Sequence, residues 1–264
     1  MEETVTNTEN LLGRAVKSAL RYVWHTVDLN GRYSRSAGGE NRPAFYDIDK
    51  TYPSLRILDQ NYDVIREEME AVLAYKDRLP RYHDLDARET YISGTVDADK
   101  TWKVFMLQCI IGAPKNNQAK CPRTSALLQQ IPNVYQAFFS ILDPGKSIPA
   151  HCGTYRGYLR YHLGLRVPKN NPPSMRVKDQ IITWEEGRSI FFDDSLNHEV
   201  YNKSDDLRVV LIVDVLRPMP LHLHAANWFF TRVLSRQSEE AKQALAKIDD
   251  YTKEKPQAKA ATAH

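Results

Sequence analysis

Short apolar stretches separated by turn residues fill the middle of the chain, from about residue 133 to residue 220. The interruptions at 143–146, 169–173 and 202–206 are rich in Pro, Gly, Asn, Asp and Lys. Many short strands punctuated in this way are typical of an antiparallel sandwich or barrel. The pattern therefore predicts a mainly β core.

Helical periodicity precedes this core. In 59–79 the apolar residues lie on or near one face, which predicts an amphipathic helix. The stretch 101–111 predicts a strand, and 121–131 predicts a short helix. The apolar positions of the first helix are Val64, Met69, Val72 and Leu73. We expect residues 37–236 to form one β-rich domain with helical support.

The two ends of the chain differ from this domain. Residues 1–36 predict an N-terminal amphipathic helix followed by a loop, with Thr6 and Glu9 spaced as a capping box. The helix carries a basic stripe, so it either packs on the core or lies on an anionic membrane. The segment 227–236 mixes Trp and Phe with Arg and leaves the same two alternatives. Residues 237–264 predict a charged helix that becomes disordered.

Composition narrows the class of protein. With 42% hydrophobic and 26% charged residues, the 264-residue chain is globular, and its net charge of +3 does not indicate a nucleic-acid partner. Its three cysteines have no framework spacing, which favours a reducing compartment. The first residues do not resemble a signal peptide, and no apolar run is long enough to span a bilayer. We expect a cytoplasmic protein with possible peripheral contact to the inner face of a membrane.

Polar side chains occur on one face of two predicted strands. In 158–165, Arg160 and His162 alternate with apolar residues, so they share a face. In the strand around 208–215, Arg208 shares a face with Asp214. A buried guanidinium needs an anion, and its planar fork suits a carboxylate. Because the first strand has no acidic residue of its own, an external dicarboxylate is an attractive partner.

Two distant histidines are candidate metal ligands. His151 follows a Pro-Gly turn and His198 lies 47 residues later (198 − 151), so facing strands of a small barrel could bring them together. The facial triad of iron(II) oxygenases uses His-X-Asp/Glu and a distal His. Here the carboxylate position holds Gly153. By themselves, these residues favour two histidines buried in a β-barrel over a metal site.

Several motifs together resemble the aspartyl/asparaginyl β-hydroxylase family, including its branch of lipid A and ornithine-lipid acyl hydroxylases. The resemblance extends in order over about residues 121–220. The motifs are FFSILDPGKSIPAHCG, LRYHLGL, the Trp184-x-x-Gly187 pair, FFDDSLNHEVYN and LRVVLIVDVLRP.

The resemblance implies a double-stranded β-helix, a jelly-roll or cupin-like core with flanking α-helices, that binds Fe(II) and 2-oxoglutarate. It implies that His151 and His198 bind the metal and are catalytic, and that Arg208 and Ser140 hold the distal carboxylate of 2-oxoglutarate. The remaining cosubstrate-binding candidates, near its other carboxylate or the substrate, are Arg160 and His162.

One position departs from the lipid branch, which usually has an aspartate where this chain has Gly153. The aspartyl branch lacks that carboxylate and uses water in its place. Glu199 is expected to point away from the metal, and so is Cys152, which we predict to be a packed thiol. Asp193 and Asp194 either orient the histidines or cap the turn before His198.

The predicted reaction is hydroxylation of an unactivated C–H bond with O2, releasing succinate and CO2. The substrate alternatives are a lipid acyl chain and an aspartyl or asparaginyl unit, free, peptidyl or carrier-bound. A halogenase that binds chloride beside Gly153 is a second hypothesis. A non-redox cupin-like module that binds a metal or ligand is a third.

Overall fold

The computed structural model describes residues 28–85, 90–234 and 239–252. The chain separates into two compact units, with the division after Arg42. In the first unit, helix α1 spans Leu29–Ser36, where the sequence pattern predicts a loop. Asp28 explains the difference, because its carboxylate caps the helix by accepting a hydrogen bond from the Gly31 amide at 2.9 Å. The N-terminal helix predicted before it lies outside the described residues.

The second unit contains two antiparallel sheets. One has five strands in the order β1-β2-β9-β4-β7, and the other has four in the order β3-β8-β5-β6. The strands are β1 Trp102–Gln108, β2 Val134–Leu142, β3 Ile148–His151, β4 Tyr158–Arg166, β5 Ser174–Val177, β6 Gln180–Thr183, β7 Ser189–Phe192, β8 His198–Tyr201 and β9 Arg208–Leu216.

From β2 to β9 the chain passes repeatedly between the two sheets. Strands β2, β4, β7 and β9 enter one sheet, whereas β3, β5, β6 and β8 enter the other. This alternation is the connectivity of an eight-stranded jelly roll, to which β1 adds an edge strand. The predicted double-stranded β-helix is therefore confirmed.

Helices surround the sheets. Those of the second unit are α2 Ile48–Thr51, α3 Arg56–Gln60, α4 Tyr62–Leu73, α5 Tyr82–Leu85, α6 Thr90–Gly94, α7 Lys115–Lys120, α8 Pro122–Gln129, α9 Leu221–Phe229 with its π-helical continuation Phe230–Leu234, and α10 Glu239–Asp250. The helix expected in 59–79 is present as α4, with Met69 and Val72 buried as predicted. No helix in the described ranges is both long and apolar enough to cross a membrane.

The two faces of the five-stranded sheet have different packing partners. Its outer face packs against helices, with Tyr161 and Leu163 in the same apolar cluster as Met69. Its inner face points towards the four-stranded sheet. The strand register places His162 opposite Ile212, and Arg160 opposite Asp214. The predicted inward face of β4 is therefore confirmed, and it positions the site described next.

Candidate metal and cosubstrate site

His151 and His198 meet between the two sheets. They are directly paired in the register of β3 and β8, and their ring centroids are 4.1 Å apart. Each Nδ1 contacts a backbone carbonyl at 2.8 Å, that of Pro149 for His151 and that of Leu196 for His198. A carbonyl can only accept, so both rings carry their proton on Nδ1 and keep the Nε2 lone pair. This is the tautomer that binds a metal through Nε2.

The charge state of His151 also suits a metal ligand. Burial, and then the neighbouring His198, lowers the pKa of His151 to about 4. Its imidazole is therefore neutral around pH 7. The described ranges contain no group of three or more His, Cys, Asp or Glu side chains that is arranged to bind a metal ion. His151 and His198 are therefore the candidate metal ligands among the described residues.

Asp194 fills the space beside Gly153. A Cβ added to Gly153 would lie 2.1 Å from Asp194 Oδ2, and the Gly153 amide donates to the Asp194 carbonyl oxygen at 2.9 Å. The same carboxylate lies 3.5 Å from Nε2 of His198 and accepts from the Tyr158 hydroxyl at 2.6 Å. The expectation that glycine leaves this place open for chloride was therefore wrong, because a carboxylate from another strand end lies there.

Arg160 has carboxylate partners within the chain. It donates to both oxygens of Asp214, at 2.7 and 2.8 Å, and also to Asp194. The inference that it needs an external dicarboxylate was wrong, because β9 supplies Asp214 directly opposite Arg160. Burial by itself raises the pKa of Asp194, but Arg160 and the hydrogen bond from Tyr158, together with the two neighbouring histidines, outweigh burial, and the pKa is lowered. Arg160 thus keeps Asp194 ionised beside His198.

Arg208 is different, because its buried guanidinium has no carboxylate partner in the described ranges. One of its nitrogens donates to Ser140 Oγ at 3.2 Å, and its charge lies 4.7 Å from the centroid of the Trp184 ring. Its Nε is buried and has no hydrogen-bond partner among the described residues. Burial alone lowers the pKa of Arg208 to about 9. The structure therefore brings Ser140 and Arg208 together, as predicted, around a cation that still needs an anion.

His162 presents a second unused donor. Its Nδ1 accepts from the Trp184 indole N–H at 3.2 Å, which assigns the ring proton to Nε2. That Nε2 is buried without a partner in the described part of the chain. Burial, and then the charges of Arg160 and Arg208, holds the pKa of His162 well below its usual value. A neutral N–H donor and a guanidinium are thus available to an oxygen-rich ligand.

Trp184 contacts both Arg208 and His162 and so positions their unused donors. The sequence indicates Trp184 only as part of a motif. The backbone that follows Trp184 packs closely on β4 because Gly164 has no side chain: a Cβ at Gly164 would lie 2.2 Å from the carbonyl oxygen of Glu185. Backbone therefore occupies the space beside Gly164. Alternation along β4 could locate Gly164, but not the segment that packs on it.

The two neighbouring aspartates have separate roles. Asp193 accepts from the Ser195 amide at 3.1 Å and pairs with Arg217 at 2.8 Å, so it caps the turn, whereas Asp194 points to the histidines. Glu199 pairs with Arg176, away from the site, as expected. The prediction that Cys152 is a packed thiol was wrong, because its side chain is exposed.

Comparison with known proteins decides which family the chain belongs to. The family model described as aspartyl/asparaginyl β-hydroxylase matches residues 59–218, more than half of the chain. The chain belongs to the aspartyl/asparaginyl β-hydroxylase family. The matched range contains all the site residues above, and the resemblance predicted from the sequence motifs is confirmed.

The relatives of this member of the β-hydroxylase family differ in sequence identity and in the fraction of each protein that aligns with it. An ornithine lipid ester-linked acyl 2-hydroxylase of Rhizobium tropici is 38% identical over 201 residues, which is 76% of this chain and 68% of that protein. A human aspartyl/asparaginyl β-hydroxylase is 32% identical over 169 residues, which is 62% of this chain and only 21% of that protein. A cupin domain of Bordetella pertussis aligns at 15% identity and a TM-score of 0.25, covering 30% of this chain and 79% of that one.

Proposed function

We propose that this member of the family is an Fe(II)- and 2-oxoglutarate-dependent oxygenase that hydroxylates the 2-position of a lipid acyl chain. One observation carries the choice of substrate: the lipid acyl 2-hydroxylase matches over most of both chains, whereas the human β-hydroxylase matches over a fifth of its own length. The family membership supports a hydroxylase. The cofactors are supported by the donor set.

The residues fit these cofactors. His151 and His198 would hold Fe(II) through their Nε2 lone pairs, which the contacts of Nδ1 leave available. Bound iron, with 2-oxoglutarate and O2, would supply the chemistry that hydroxylates an unactivated C–H bond, with one oxygen atom of O2 going to the product and the other to succinate as CO2 is released. Arg208 and Ser140 would bind the distal carboxylate by charge-assisted hydrogen bonds. The Nε2–H of His162 would donate to a ligand oxygen in the same buried space.

Asp194 and Arg160 would act on the histidines rather than on the substrate. The ionised Asp194 carboxylate, fixed by Arg160 and the Tyr158 hydroxyl, lies 3.5 Å from Nε2 of His198 and would place a negative charge beside a metal held there. Its negative charge would repel chloride from the position beside Gly153, which disfavours halogenation. A barrel that only binds a metal would have no anion to pair with the buried charge of Arg208, so this charge argues against the non-redox alternative.

The direct test is succinate release with Fe(II), 2-oxoglutarate and a panel of substrates. The panel contains ornithine lipid, other acylated lipids, an aspartyl peptide and free aspartate, and product mass reports an added oxygen. We expect a gain of one oxygen on a lipid acyl chain. Hydroxylation of the aspartyl peptide alone would refute the lipid assignment. If iron and 2-oxoglutarate added without oxygen give no visible charge-transfer band, the oxygenase proposal fails.

A further inference from the structure

We propose that one face of helix α9 docks the protein on an anionic lipid surface. This inference rests on the proposed lipid function and names the surface from which the substrate would be taken. Leu221, Trp228 and Phe229 are 83%, 46% and 48% exposed, although large apolar side chains are usually buried. They are three of the most exposed apolar side chains in the described part of the chain.

The exposed residues form one stripe. Positions 221, 225, 228 and 229 recur every three or four residues, so they lie on a single helical face. The opposite face contains Leu223, Asn227 and Thr231, which are all buried. The helix therefore directs its apolar stripe to solvent while its other side packs on the domain. Such an arrangement marks a surface that is covered during function.

Helix α9 is tied to the loop that follows His151. The Asn227 side-chain amide donates to the Gly157 carbonyl oxygen at 2.6 Å and its oxygen accepts from the Tyr155 hydroxyl. The Tyr155 ring lies 6.0 Å from that of Tyr158, whose hydroxyl contacts Asp194. A surface on which α9 docks would thus lie beside the loop that leads from the first proposed metal ligand into β4.

Charge favours a membrane as the occupant of this face. Between Asp214 and Glu239 the sequence has no acidic residue, and its basic side chains are Arg217, which is buried against Asp193, Arg232, which donates to the Val134 carbonyl oxygen, and Arg236. Trp and Phe beside basic residues are typical of helices that lie in the interface of anionic bilayers. From Leu221 to Phe229 the stripe is about 12 Å long at 1.5 Å per residue, which is small for a stable contact with a second copy.

The test is flotation of the full chain with vesicles of neutral phosphatidylcholine, with or without anionic phosphatidylglycerol. The variant Leu221→Asp removes an apolar side chain from the stripe and adds one negative charge. Ile181→Asp is the matched control, because Ile181 is 66% exposed on β6. An acidic residue in the first turn of a helix is compatible with folding, and melting temperatures of both variants verify it. Trp228→Ala, which adds no charge, is a second variant.

We expect wild type and Ile181→Asp to float with anionic vesicles, and more weakly at high salt. Leu221→Asp should bind at least about tenfold more weakly, as loss of a buried leucine contact predicts. Equal flotation of wild type and Leu221→Asp would overturn the proposal. So would a dimer in sedimentation velocity that Leu221→Asp dissociates, since the face would then bind a second copy. Flotation requires no turnover, so its failure is distinguishable from failure of the proposed reaction.

Discussion

Replacing Arg208 with methionine should raise the free energy of unfolding of the protein. It should also remove the additional stabilisation that 2-oxoglutarate binding gives to the wild type. Burial lowers the pKa of Arg208 from its usual value to about 9. At about 1.36 kcal/mol per pKa unit, holding this guanidinium charged in the folded protein costs on the order of 5 kcal/mol. Because the folded pKa lies below the unfolded one, this penalty is complete below pH 9 and decreases as the pH rises from there towards the unfolded pKa.

Two contacts offset part of that cost. The stacking of Arg208 on Trp184 contributes about 2 kcal/mol in a desolvated site. The hydrogen bond to Ser140 contributes about 1 kcal/mol, since its acceptor is a neutral hydroxyl. Methionine keeps much of the apolar stem and has no charge. We therefore expect Arg208→Met to raise the free energy of unfolding by about 1–3 kcal/mol, the order of the remaining difference between these terms.

The same substitution at Arg160 should have the opposite sign. Arg160 is paired with Asp214 and Asp194, so Arg160→Met leaves two buried carboxylates without their counter-ion. Breaking a buried pair in this way costs about 3–5 kcal/mol. The two variants introduce the same side chain on neighbouring strands, and they differ in whether the chain itself supplies an anion.

Urea denaturation at pH 7.5 measures both effects, with Mn(II) in place of iron and with 2-oxoglutarate present or absent. At a ligand concentration of 100 times its Kd, the wild type should gain about 2.7 kcal/mol. Arg208→Met should gain almost nothing. The assignment of Arg208 as the anion site would be refuted if the variant were less stable than wild type and kept the full gain from 2-oxoglutarate.

Three further outcomes are expected. Gly153→Ala should displace the Asp194 carboxylate and weaken Co(II) binding by about tenfold or more, as loss of an orienting contact does in metal sites; unchanged affinity in a metal titration would contradict the role of Asp194. Iodoacetamide at neutral pH should label only Cys152 in the native protein, because the other two cysteines are buried, and peptide mass spectrometry checks this. Ser140→Ala should lower the free energy of unfolding by about 1–3 kcal/mol by leaving buried donors without an acceptor, and calorimetry should show weaker binding of 2-oxoglutarate.

Local patterns in the sequence were sufficient to predict much of this protein. Turn residues between short apolar stretches predicted the β core, and the two-residue period of a strand placed Arg160 and His162 on its inward face. These predictions succeed because strand periodicity and turn chemistry depend on neighbouring residues. The motifs around the two histidines also indicated the family, since each of them is a short run of adjacent residues.

Only the tertiary structure decided which side chains pair. Arg160 meets Asp214 and Asp194, which lie 54 and 34 residues away in the chain, because strand register and a turn bring them together. The space beside Gly153 is filled by Asp194 for the same reason. Cross-strand contacts depend on register and on the packing of distant segments, so alternation within one strand predicts where a charge points but not what neutralises it. Arg208, whose charge no described carboxylate neutralises, became distinguishable from Arg160 only through those contacts.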